Sequence, residues 1–114
     1  MTAVYISTVN NAFAYALWCQ ATDETYEAHT LEEANAHLSY VGKVVLIGRQ
    51  EPVFGDLNSY LSFIARAHAK GKKVLAVVER GTALPNNNHD IDTVIESIRG
   101  ATTVTGIAHQ IAQG

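Results

Sequence analysis

The stretch "STVNNAFAYALWCQATDETYEAH", residues 7–29, decides how this chain folds. Just before it, Ala3 to Val9 is rich in β-branched and aromatic residues and predicts a first strand. Asn10 and Asn11 follow, and asparagine tolerates the positive φ that a tight hairpin turn needs. From Ala12 to Cys19 the side chains alternate, with Phe13, Tyr15, Leu17 and Cys19 on one face and Ala14, Ala16 and Trp18 on the other. That alternation predicts a second strand. The polar "ATDE" turn then leads to a short third strand, Thr25 to His29. The expectation is an antiparallel meander. Its third strand would lie at a sheet edge, where an uncovered backbone can recruit a partner strand.

Beyond the meander the apolar period changes. Leu31, Ala34, Leu38 and Val41 share a helical face, and Thr30 with Glu33 three residues on forms a capping box at the helix start. Val44 to Ile47 is a continuous apolar run, as expected of a strand covered on both faces. Asp56 is a candidate N-cap for a helix carrying Tyr60, Leu61, Phe63, Ile64, Ala67 and His68, and Gly71 ends that helix. Val74 to Val78 predicts another buried strand. After the loop "NNNHD", the stripe Ile91, Val94, Ile95 and Ile98 predicts a helix, and Val104, Ile107, Ala108 and Ile111 predict a last one. The expected fold is a single α/β domain over residues 1–114, with a mixed five-stranded sheet in the order β-β-β-α-β-α-β-α plus a C-terminal helix.

With 47% hydrophobic and 17% charged residues, the chain is too apolar for a disordered one. Its net charge of −3 argues against a generic nucleic-acid binder, which needs clustered Lys and Arg. The nearest basic cluster, Lys70, Lys72 and Lys73, suits a helix C-terminus. One cysteine, Cys19, excludes an internal disulfide and fits a reducing cytosol. A signal peptide and a membrane span are not expected, and the localisation expected is cytoplasmic.

This order of elements resembles the ribonuclease H-like fold, and three stretches carry the likeness. "VYIST" resembles the first strand of that superfamily, which ends in a catalytic aspartate. "HTLEEANAHL" resembles its first helix, with an inward glutamate. "NNNHDIDTVI" resembles its final loop and helix, where Asn88 and Asp92 have the family's spacing. The resemblance implies a carboxylate cluster holding two divalent cations. Position by position, Ser7 stands where the first aspartate belongs and Arg49 where another acid belongs; Glu33 and Asp92 match. A guanidinium would repel the metal, so the resemblance implies a degenerate site without metal or cofactor and without catalysis.

Both surviving acids also have a bland explanation. Glu33 completes the capping box, and Asp92 lies in the first turn of the expected helix, where a negative charge favours the macrodipole. The histidines show no paired metal-ligand spacing, and no Gly-rich phosphate loop is present. The candidate binding residues are therefore Ser7, Glu33, Arg49, His89 and Asp92, which the resemblance gathers at one end of the sheet. Arg49 there would pair with Glu33 or Asp92, or hold an anionic ligand. The leading expectation is a non-catalytic adaptor that binds a protein partner or a second copy of itself, in the style of an accessory protein of a mobile element. Two alternatives stand beside it. One is a divergent metal-dependent nuclease or phosphoryl-transfer enzyme. The other is a different three-layer α/β fold that binds a small ligand at the carboxyl ends of its strands, beside Gly48.

Overall fold

A computed structural model describes residues 2–21, 24–79, 91–97 and 104–113. Among these residues five strands form one sheet: β1 (Ala3–Ile6), β2 (Thr25–Ala28), β3 (Lys43–Ile47), β4 (Lys73–Glu79) and β5 (Thr93–Ser97). Their spatial order is β2-β1-β3-β4-β5, and every neighbouring pair is parallel. The helices are α1 (Ala12–Gln20), α2 (Leu31–His37), the single turn α3 (Glu51–Phe54), α4 (Leu57–Ala69) and α5 (Val104–Gln113).

The α/β class, a single sheet of five strands and the C-terminal helix agree with the sequence reading, although only four of the five expected strands are among those observed. The antiparallel meander does not form, so the sheet is parallel rather than mixed. Ala12–Gln20 is a helix, not a second strand. Its nine residues include three alanines, the strongest helix former, and Asn11 caps its start by accepting a hydrogen bond from Ala14 N at 3.0 Å. Asn11 thus starts a helix instead of turning a hairpin. The expected helix after the asparagine loop is the strand β5, for which the run Thr93-Val94-Ile95 is suited because β-branched side chains fit a pleated surface. The loop itself, with Asn88, His89 and Asp90, lies outside the described residues.

Period-two burial builds a core on each face of the sheet. Val4, Ile6, Val44, Leu46, Val74, Ala76 and Val78 face α2, α3 and α4, packing on Ala34, Leu38, Phe54, Phe63, Ile64 and Ala67. Tyr5, Val45, Ile47, Leu75, Val77 and Ile95 face α1 and α5, packing on Leu17, Ile107 and Ile111. The chain moves from β1 outward to β2 with α1 on one face, then crosses back over β1 to β3 with α2 on the other. Reversing direction and face together keeps both crossovers of one hand, the right-handed one that strand twist favours. The result is a three-layer, doubly wound sheet whose winding reverses between β1 and β3.

Lys43 is an unexpected core member. It opens β3 only 2% exposed, and its Nζ donates to the Ile111 carbonyl at 2.7 Å, at the C-terminal end of α5. A buried cation is tolerated there because the last carbonyls of a helix carry partial negative charge.

Candidate functional site at the carboxyl end of the sheet

In a parallel sheet all strands end on the same side, so the loops after β1, β2 and β3 meet at one edge. Ser7 follows β1 and is buried; its N–H donates to the Ala28 carbonyl at 3.1 Å. Its own carbonyl accepts from His29 Nδ1 at 2.9 Å, which fixes the hydrogen on that nitrogen. His29 Nε2 lies 3.5 Å from Glu27 Oε2. Glu33 reaches back from the first turn of α2, where its Oε2 accepts from His29 N at 3.2 Å while its own N–H donates to Thr30 Oγ1 at 3.1 Å. Thr30 thus caps α2 as the sequence indicates, while the Glu33 carboxylate takes the N–H of His29, one residue before the cap, in place of that of Thr30.

The loops after β1 and β3 touch. Gly48 ends β3 with φ +76°, and a Cβ built there would come within 3.3 Å of Asn11 Nδ2. This contact sits above the point where the winding reverses. The next residue, Arg49, is largely exposed, with Nε 3.6 Å from Glu51 Oε2. It pairs with neither Glu33 nor Asp92 in the described contacts.

Gln50 then folds inward. It is 3% exposed, and its Nε2 donates to the carbonyls of Ile47 at 3.2 Å and Gly48 at 3.3 Å, tying the loop to the end of β3. Its Oε1 has no hydrogen-bond partner among the described residues. Beside it opens a cavity of about 210 Å³, lined by Gln50, Glu51, Asp56, Leu57 and Tyr60. Asp56 is held by its capping role: Oδ1 accepts from Ser59 N at 2.7 Å, and this hydrogen bond keeps its carboxyl below the ordinary aspartate value.

Of the expected site residues, Ser7, Glu33 and Arg49 do gather at this end. Asp92 does not. It precedes β5 at the amino end of the sheet, where its Oδ2 accepts from Val74 N at 2.8 Å and lies 2.9 Å from His68 Nε2. Burial works against its charge, but the hydrogen bonds from Val74 and His68 outweigh burial and hold its carboxyl below the ordinary value. Asp92 thus fastens the start of β5 to β4 and α4 instead of capping a helix. His89 lies outside the described residues. Sequence reasoning missed Asn11 and Gln50. Asn11 carried a signal, an N-cap residue ahead of an apolar run; nothing in the polar loop "GRQEP" marked Gln50 as buried.

Among the described residues, no group of three or more His, Cys, Asp and Glu side chains is placed to hold a metal ion, and no helix is long and apolar enough to cross a membrane. Comparison with family models, with curated proteins and with solved structures finds no match to this chain.

Proposed function

We propose that this chain is a small-ligand-binding domain whose site is the carboxyl end of the sheet between β1 and β3. The observation that carries the reading is the reversal of winding at that point, with the loops after β1 and β3 in contact above it through Gly48 and Asn11. Open α/β sheets bind ligands in the crevice outside the strand ends at such a reversal, because the adjacent loops diverge to opposite faces. The first turn of α1 offers the backbone N–H groups of Ala12 and Phe13, that of Ala14 being held by Asn11, and carries no acid, and Arg49 supplies an exposed guanidinium at the same edge. A ligand with an anionic group suits both. The cavity beside Gln50 offers mostly apolar lining for the rest of such a molecule.

The two carboxylates that matched the ribonuclease H-like pattern lend the nuclease reading no support, because Glu33 and Asp92 stand at opposite ends of the strands. The test is an amide NMR titration with inorganic phosphate and a mononucleotide, each on wild type and on Arg49→Gln. Saturable shifts confined to residues 8–13 and 48–51, weakened several-fold in Arg49→Gln, are expected. Unsaturable shifts, or shifts centred elsewhere, would reject the site.

A further inference from the structure

The edge strand β2 carries a second surface, independent of the ligand site. Among the described residues it stands first in the strand order and pairs only with β1. Ala3 N donates to the Glu24 carbonyl and Ser7 N to the Ala28 carbonyl, both at 3.1 Å, so residues 24 and 28 direct their backbone groups toward β1. Alternation along the strand places Tyr26 with them and turns the N–H and C=O groups of Thr25 and Glu27 outward. His29 N–H, the next outward donor, is held by Glu33.

Aromatic side chains flank this edge. On the α2 face, Tyr26 stacks on His37 with centroids 5.0 Å apart, and Tyr40 meets both edge-on at 6.4 and 6.0 Å. On α1, Tyr15 stacks with Trp18 at 6.1 Å. Tyr15 and Tyr40 are each 60% exposed, among the most exposed large apolar side chains described.

We propose that β2 pairs antiparallel with β2 of a second copy of this chain, about a two-fold axis through Tyr26, to form a continuous ten-stranded sheet. The strand itself selects this register. Centred on Glu27, the pairing would set two like charges directly opposite each other. Centred on Ala28, it would need the His29 N–H that Glu33 already holds. Centred on Tyr26, Thr25 and the partner's Glu27 exchange both backbone hydrogen bonds, and the symmetry repeats the exchange, giving four bonds in all from groups that otherwise face water. Tyr26 then meets the partner's Tyr26 as a non-hydrogen-bonded pair, the closer kind of cross-strand neighbour. Glu24 falls opposite Ala28, so no like charges oppose. A second copy satisfies every outward group of the strand with its own equivalent, which is the property of a two-fold interface.

Sedimentation of the full chain across micromolar to sub-millimolar concentration tests the proposal. A reversible species of twice the monomer mass is expected, and Glu27→Pro, which removes one outward N–H without touching the ladder to β1, should leave the monomer with unchanged circular dichroism. A second measurement fixes the register. In a Cys19→Ser background, Tyr26→Cys should cross-link to its copy on mild oxidation, since Cα atoms of such a pair lie about 4.5 Å apart. Thr25→Cys, facing Glu27 of the copy, should not. A monomer at every concentration overturns the proposal, as does a dimer that Glu27→Pro leaves intact or that cross-links through Thr25→Cys instead.

Discussion

At Gly48 one residue holds two loops together. Its φ of +76° is open to glycine, whereas any other L-residue pays for it through contact between Cβ and the following carbonyl, and Asn11 stands 3.3 Å from where that Cβ would be. Gly48→Ala should therefore destabilise the fold by about 1–2 kcal/mol in urea denaturation, with an unchanged slope. A cost near zero would mean that the loop relaxes into another conformation and that the contact above the winding reversal is not tight. Lys43 is a different case, a charge among apolar neighbours. Lys43→Ala removes both the buried stem and the hydrogen bond to Ile111, and should cost about 2–5 kcal/mol, as truncation of a long buried side chain does. Lys43→Met keeps the stem and should recover a large part of that loss. Equal losses in the two variants would show that the ammonium, not the packing, carries the contribution.

At the scale of elements, the sequence was legible wherever cap and period agreed. Thr30, Asp56 and Gly71 marked real helix ends, and the buried strands β3 and β4 stood out as apolar runs. The failures fell where period alone had to choose. Residues 12–20 are apolar almost all round, so alternation and helical spacing fit equally well, and only alanine content and the Asn11 cap separate them. Asn11→Ala should remove about 1 kcal/mol by taking away that cap. The opposite error befell β5, where Ile91, Val94 and Ile95 happen to fall at helical spacing although the run is β-branched. Ser7, Glu33 and Arg49 lie beside β1, β2 and β3, which the sequence located, so their common edge was legible even though β1 ends at Ile6 and not at Val9. Asp92 was misplaced because its element was misread. The carboxylate of Asp92 gives a test of its true role. Its proton affinity is lowered in the folded chain relative to the ordinary value of 3.8, so its contribution to stability is fully present above that value and is lost as pH falls through the lower folded one. The gap in stability between wild type and Asp92→Asn should hold at neutral pH and close only as pH drops below about 4. A gap that closes well above that pH would show that the Asp92 carboxylate does not carry the contribution.

At the scale of the whole molecule, the sheet joins the two proposed surfaces while keeping them apart: the ligand site crowns the strand ends, and the edge of β2 runs alongside. Hydrogen exchange separates their physical bases. The strand β3 is hydrogen-bonded on both sides, to β1 and β4, and all five of its residues are buried, so its amides should open only with global unfolding and exchange slowest. In β2 the ladder to β1 binds one side alone. In dilute protein the Tyr26 and Ala28 amides should be protected while Thr25 and Glu27 exchange fast, an alternation of period two within one strand. Raising the concentration should slow Thr25 and Glu27 as the copies pair, because their N–H groups then donate across the two-fold axis, and the alternation should fade. In Glu27→Pro the Thr25 amide should stay fast at every concentration. Alternation that persists in concentrated wild type would count against pairing through this edge, whatever the mass of the particle. Uniformly fast exchange along β2 would go further and show that β1 does not hold the strand.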